Sequence, residues 1–426
     1  MSHPARSSTS VSRSGLRMSV FALALVAWLT TLAMQSVQAQ TYSVLHNFTG
    51  GGDGAIPDGS LILDPGGNLY GAAAAGGNNN CSSFPYTGCG AVFKLHRQGS
   101  GWSLATLYAF GQNDGHVPAG PLLRDASGNL YGVTGSGGDG FFVGTFFQLR
   151  PSPMRPSVNS PWPETVLYAF GGGDDGAFPS GNLTADLAGN LYGVTEQGGA
   201  GSGGTVFKLT PSGGGWTETV LYNFTFGGAG GSNPTYGVVL DMAGNLYGTT
   251  SGAGSHGCGV VYELTPSGTE TVIYTFTSGN DGCAPYARVI LDQSGNLYGA
   301  TSSGGAGGGG VAFELSPGNN GWTYKALYSF SGSPTRNDGP QQSLVMDGAG
   351  NLYGATFGEG PYGAGAVFEL TPSNGSWNYT SLHDFTGGGD GGYPAGAVVL
   401  DSNNNVYGMT SFGGTSGNGV VYEIAP

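Results

Sequence analysis

From Tyr42 onward the chain is written in short apolar stretches separated by glycine, asparagine, aspartate and proline, such as Leu221-Tyr222-Asn223-Phe224, Val238-Val239-Leu240 and Val260-Val261-Tyr262-Glu263-Leu264. None is long enough or suitably spaced for an amphipathic helix, so the pattern predicts strands joined by turns. The stretches recur in a fixed order. An apolar-aromatic strand leads through a Gly/Asp-rich inbound loop, usually with a proline, to an apolar strand. Next comes the word Asp-x-x-(Gly/Asn)-Asn-(Leu/Val)-Tyr-Gly, then a second glycine-rich loop and a third strand. The word occurs seven times, with its tyrosine at Tyr70, Tyr131, Tyr192, Tyr247, Tyr298, Tyr353 and Tyr407, at intervals of 61, 61, 55, 51, 55 and 54 residues.

A period of roughly fifty residues holding four antiparallel strands is that of a propeller blade. The expected fold is all-β: one seven-bladed β-propeller over residues 40–426. A pair of β-sandwiches or an open solenoid would also use short strands, but a solenoid calls for distinct capping units and the first and last copies resemble the middle ones. The segment Tyr42-Ser43-Val44-Leu45-His46-Asn47-Phe48 matches the last strand of a unit, and Val420-Val421-Tyr422-Glu423-Ile424 matches the third. The N-terminal strand is therefore expected to pair with the last blade and close the ring.

Local chemistry fits this frame. In the repeated word the aspartate accepts backbone N–H bonds while Gly or Asn supplies a positive-φ turn position. In Leu246-Tyr247-Gly248 the leucine and glycine share one face of the strand and the tyrosine the other, so the seven tyrosines are expected in the core, with glycine permitting a close approach. Trp102, Trp216, Trp322 and Trp377 recur at the start of the outer strand, where rim packing accounts for them.

Residues 1–39 are different in kind. Arg6, Arg13 and Arg17 precede an apolar run over 21–34 and the small-residue sequence Ser36-Val37-Gln38-Ala39. This is the order of a secretory signal peptide with cleavage after Ala39; the run is short for a membrane anchor. No second hydrophobic segment follows. The expected product is secreted or periplasmic, with no membrane span once the signal is removed.

Composition sharpens both readings. Of 426 residues 85 are glycine, 12 basic and 26 acidic. Such a glycine-rich, weakly charged chain suits turns and sheets packed on both faces, and it argues against helices. Removing the signal takes away three arginines, leaving nine basic residues against 26 acidic ones. That field disfavours nucleic acid and anionic membranes. The four cysteines, Cys81 with Cys89 and Cys258 with Cys283, are expected as two disulfides in an oxidising compartment.

The units resemble the GloVer tandem repeats of exported bacterial proteins. The word Asp-x-x-Gly-Asn-Leu-Tyr-Gly-x-Thr is also similar to the Asp-x-x-Gly-Asn-Leu-Trp-Ile-Gly-Thr word of two-component-regulator propellers. The resemblance covers residues 42–426 and implies fold and export. It brings no catalytic residues.

Function is expected on the loops, because variable loops on a rigid scaffold are where recognition concentrates. The inbound loop and the loop after Asn-Leu-Tyr-Gly should share one side. Six inbound loops carry Asp-Gly, at Asp53, Asp114, Asp175, Asp281, Asp338 and Asp390, and the fourth does not. A ring of these carboxylates would suit calcium or a polyhydroxyl ligand, whereas the plainer reading is that each aspartate closes its own turn. Loop aromatics, Tyr86 and Tyr393 among them, would stack on a sugar ring. No cofactor is otherwise implied, and the chain is expected to act as a monomer. No Gly-x-Ser-x-Gly, His-Glu-x-x-His or Walker sequence is present. The leading expectation is an exported binding or cell-surface interaction module whose partner is a glycan or a surface protein. The alternatives are a carbohydrate-active enzyme, glycoside hydrolase or lyase, using loop acids, and a structural extracellular protein.

Overall fold

A computed structural model describes Met1 and residues 40–426 except 79–81, 84–85, 100, 112, 119, 139–142, 153–160 and 333–336, and the side chains of Ser82, Ser83 and Tyr86 are also outside the description. The expected signal peptide lies outside the described residues. The chain divides into two units, residues 1–40 with Pro426, and Thr41–Ala425, of which the second holds the fold.

Each copy of the sequence frame folds as a four-stranded antiparallel sheet. The third is representative: Ala177–Ala185 pairs with Leu191–Gln197, which pairs with Ser202–Ser212, which pairs with Gly215–Thr225. In the first and second copies the inner strand is split, as in Ala55–Pro57 and Ile62–Leu63. The last sheet is completed from the far end of the sequence. Thr41–Asn47 lies antiparallel to Val420–Ala425, with Tyr42 opposite Ile424 and Val44 opposite Tyr422. The pairing expected between the terminal strands is therefore present.

The turn chemistry follows the repeated word. In all seven copies the Asp Oδ1 accepts the N–H of the Asn four residues on, at 2.8–3.0 Å. Its other oxygen accepts the tyrosine hydroxyl at 3.0–3.4 Å. Gly67, Gly244 and Asn404 have positive φ in these turns. Burial works against the charge on Asp64, Asp186, Asp292 and Asp401, but these bonds outweigh it and hold each carboxyl below its usual range. Five of the seven tyrosines are fully buried and the other two half-buried. The outer-strand tryptophans pack on tyrosines of the preceding copy, Trp216 on Tyr131 and Trp322 on Tyr247.

The glycine of each Asn-Leu-Tyr-Gly has a more specific partner than the expected close approach of neighbouring sheets. It lies opposite an aromatic residue on the next strand of its own sheet: Gly71 opposite Phe93, Gly248 opposite Tyr262, Gly299 opposite Phe313. In the five phenylalanine pairs a Cβ on the glycine would stand 2.5–2.6 Å from the ring tip, so the ring tip takes the space the missing side chain leaves. That same ring meets a phenylalanine from the outer strand of the preceding sheet. Phe110 meets Phe147, Phe170 meets Phe207, Phe224 meets Tyr262, Phe276 meets Phe313, Phe330 meets Phe368 and Phe385 meets Tyr422, with centroids 4.9–5.2 Å apart. The seventh such pair joins Phe48 of the N-terminal strand to Phe93 of the first sheet, at 5.2 Å. Around it Leu61, Leu69 and Phe93 of the first sheet pack with Tyr407, Met409 and Val421 of the last.

These contacts set an expected outcome. Gly299→Ala forces the Phe313 ring off Phe276 and should cost about 1–3 kcal/mol. Gly389→Ala is the control, because nothing lies within 4 Å of its added methyl. Urea denaturation of the two variants checks the difference, and equal midpoints would contradict the packing role assigned to the glycine.

Candidate functional site

The inbound loop and the second loop of a copy are joined by backbone hydrogen bonds. Gly77 donates to Gly51, Gly199 to Gly173, Gly254 to Gly228 and Gly414 to Gly388, at 2.8–3.0 Å. The two variable loops therefore share one side of these sheets.

The inbound aspartates are occupied within that layer. Asp53 accepts the N–H of Thr49 at 2.9 Å and contacts His46 Nε2 at 3.0 Å. Asp114 accepts from Gly111 at 2.6 Å and from the Tyr108 hydroxyl. Asp175 accepts from Gly171 at 2.6 Å and Tyr168 at 3.0 Å. Asp281 accepts from Thr277 N at 2.9 Å and Tyr274 at 3.1 Å, and Asp390 from Thr386 N at 2.9 Å, with His383 Nε2 3.2 Å away. Each carboxylate ties its own loop to the ring two residues before the interface phenylalanine. Asp338 instead lines an open cleft. Among the described residues no group of three or more His, Cys, Asp or Glu is arranged to hold a metal ion.

Tyr393 packs its ring on Phe357 at 5.3 Å and Phe412 at 5.8 Å, and Phe412 is 44% exposed. The Tyr86 side chain and Cys81 lie outside the described residues. Cys89 is buried and disulfide-bonded, and Cys258 is bonded to Cys283, linking the second loop of the fourth copy to the inbound loop of the fifth.

A position that sequence reading missed faces these aspartates from the next sheet. Four residues before the ring that binds each aspartate, the outer strand carries Glu164, Glu218, Glu270, Tyr324, Tyr379 or Tyr42 in successive sheets, and Leu104 in the first. Burial, then Asp114, pushes Glu164 up to about 7, and burial, then Asp175, does the same to Glu218. Glu270 is also raised by burial. Each of the three has Oε1 buried with no hydrogen-bond partner among the described residues. Where the position is tyrosine, it stacks on its neighbour: Tyr324 on Tyr274 at 4.6 Å, Tyr379 on Tyr328 at 4.7 Å, and Tyr42 on His383 at 3.8 Å.

Between the fifth and sixth sheets this arrangement opens into a cleft of about 590 Å³, lined by Tyr328, Tyr379, Asp338, Glu359 and Asp384 together with loop glycines. Glu359 lies in a niche made by Gly309 and Gly332, where an added Cβ on Gly309 would collide with its Oε1. Burial, then the charge of Asp338, raises it to about 8, so at neutral pH Glu359 is a protonated acid. A second polar group lies where inner strands meet. Asp58 accepts from Gly59 N at 2.8 Å, and burial raises it. Burial also raises Glu196, with Asp58 adding to the effect, and the Tyr236 hydroxyl accepts from Gln342 at 2.8 Å.

The fold and its loop chemistry define a tandem-repeat, all-β protein. The chain belongs to the Gloeobacter/Verrucomicrobia repeat family, which it matches over residues 30–240, 158–290 and 234–426. No curated protein matches it in sequence. Among solved structures it is similar to the extracellular domain of a one-component system of B. thetaiotaomicron, at 11% identity and a TM-score of 0.52, covering 90% of this chain and 40% of that one. The chain thus spans well under half the length of that structure. It is also similar to a bacterial surface component of the type-IX secretion system of Porphyromonas gingivalis, at 13% identity, a TM-score of 0.48 and 85% and 46% coverage. A protein of Dyadobacter fermentans matches at 14% identity, a TM-score of 0.44 and 91% and 99% coverage. Among the described residues no helix is long and apolar enough to cross a membrane.

The raised glutamates give a pH dependence. The folded protein keeps protons on Glu164, Glu218 and Glu359 that the unfolded chain releases near 4.5. Their contribution is therefore most favourable below about pH 4.5 and is lost as pH rises towards about 8. The lowered aspartates act oppositely, losing stability as pH falls below about 4. Thermal midpoints should peak at about pH 4–5 and decline to about pH 8. Glu164→Gln with Glu218→Gln should flatten that decline, which calorimetry across the range would detect; profiles parallel to wild type would count against it.

Proposed function

We propose that Thr41–Ala425 is a closed seven-bladed β-propeller, exported after loss of residues 1–39, that binds a glycan in the cleft between the fifth and sixth blades. Closure is supported by the aromatic pair recurring at seven junctions, the last of them made by Phe48 and Phe93, and by the pairing of Thr41–Asn47 with Val420–Ala425. Export is supported by the basic, apolar and small-residue order of the leader and by the Cys258–Cys283 disulfide.

The observation that carries the binding reading is the joining, in one cleft, of the stacked Tyr328 and Tyr379 rings with Asp338, Glu359 and Asp384. A sugar offers C–H faces to aromatic rings and a fan of hydroxyl donors to carboxylates, which is this combination of groups. The inbound aspartates of the other blades serve the scaffold by closing loops. Asp338 is the one that faces the cleft, and calcium bridging to a ligand there remains within the same reading. One observation favours a second reading: Glu359, protonated at neutral pH beside Asp338, is the environment of a general acid in glycoside cleavage.

A glycan array on the mature protein, with and without calcium, tests the proposal. Retention on a defined glycan is expected, with Tyr379→Ala lowering affinity at least about tenfold at an unchanged fold, as expected for loss of a buried aromatic contact. Blank arrays in both conditions would leave only the structural role. Release of reducing sugar by the wild type and not by Glu359→Gln would move the assignment to the enzyme.

A further inference from the structure

The inner strands of six copies surround a cavity of about 460 Å³. Its walls are mostly apolar, from Leu61, Leu122, Leu183, Leu344 and Val398. One layer is different. The third residue after the inbound-loop proline is Ser60, Pro121, Asn182, Gly237, Arg288, Ser343 and Ala397 in the seven copies. Arg288 is the one charged residue among those lining the cavity.

Arg288 is held in place without being neutralised. Its Nη1 donates to Thr184 Oγ1 at 3.3 Å and to the Val238 carbonyl at 3.4 Å. Thr184 in turn donates its own hydroxyl proton to the same carbonyl, so one weak network from the third and fourth copies holds one corner of the fork. The Nε–H is buried with no acceptor. Among the described residues no carboxylate forms an ion pair with it. Burial lowers the guanidinium only to about 10, so it keeps its charge at neutral pH. A guanidinium among leucine and valine, with its Nε–H lacking an acceptor and no carboxylate beside it, is an unfavourable arrangement in the empty protein, and a planar anion in the cavity would balance its charge.

We propose that this cavity binds a small monoanionic carboxylate with an apolar body, the carboxylate on the Arg288 fork and the body against the leucine and valine walls. Charge balance selects the class. One guanidinium, helped by the neutral groups of Ser60, Asn182 and Ser343, compensates one negative charge. A phosphate dianion would leave an uncompensated charge inside a protein that, without residues 1–39, already has 26 acidic residues against nine basic ones. The site is separate from the glycan cleft and does not depend on it.

The test titrates benzoate, hexanoate, acetate and inorganic phosphate into the protein as secreted by its expression host, at constant ionic strength, by calorimetry. Saturable one-to-one binding of benzoate or hexanoate is expected, tighter than acetate or phosphate. Arg288→Gln should weaken it at least tenfold while the thermal midpoint of the free protein holds or rises, because an unpaired buried charge has been removed. Arg288→Lys, which keeps the charge and loses the fork, should bind more weakly than wild type and serves alone where the glutamine variant does not fold. Absence of binding by both larger carboxylates, affinity unchanged in the variants, or phosphate as the tightest probe would each overturn the assignment.

Discussion

The structure depends on one repeated contact, an aromatic ring laid over a glycine within its own sheet and struck edge-on by a phenylalanine from the sheet before. The ring tip fits over that residue only because it has no side chain, and the same ring receives the incoming phenylalanine. An aromatic pair of this kind adds about 0.5–1.5 kcal/mol beyond its buried area. Seven of them outweigh the glycine entropy the chain accepts at those positions only in combination with the area buried around each ring. The polar turns then need only set register, which the Asp-to-Asn and Asp-to-Tyr bonds do at the opposite end of the strands.

This division of labour explains the composition. Because the junctions are held by rings and small residues, the sheets need few charges, and several of the ionisable groups gather at the loop ends of the sheets. There they fall into two populations. Aspartates such as Asp53 and Asp390 sit where hydrogen bonds favour their charge, although burial opposes it. Glutamates such as Glu164 and Glu218 face other inbound-loop aspartates, Asp114 and Asp175, with an oxygen left without a partner, and burial raises them so that they retain protons to about pH 7. The fold thus carries opposing titrations within one layer, and their balance places its greatest stability on the acid side of neutrality.

Much of the scaffold was legible in the sequence. The word around Tyr247 recurs with enough regularity to reveal the four-strand unit, and its aspartate and glycine have the turn roles their chemistry suggests. The terminal pairing was legible too, because Tyr42 to Phe48 has the phase of an outer strand. Less legible was the partner of the glycine: alternation says which face Gly248 shares, but not that Tyr262 covers it, since cross-strand register depends on loop lengths. The loop chemistry was legible only in part. Asp-Gly recurs at six inbound loops and drew attention as a set, yet recurrence in a repeat protein first reports what every unit needs for folding. Asp53, Asp175 and Asp281 are accordingly tied to their own loops.

Departures from the repeat are the better guide to chemistry. A position under the same packing constraint in every copy should hold similar residues, so a charged or aromatic exception requires another cause. Tyr324, Tyr379 and Tyr42 replace the glutamates of three earlier sheets, and between the fifth and sixth sheets that change coincides with a cleft and with Glu359 beside Asp338. Arg288 breaks an otherwise uncharged series at the inner strand and faces a cavity bounded by that same series. Both exceptions lie in the second half of the chain, and both leave a buried polar atom, Glu359 Oε1 and Arg288 Nε, with no hydrogen-bond partner among the described residues. In a protein built from repeated units, such local imbalance costs stability without serving the repeat, and a ligand that completed it would offset that cost.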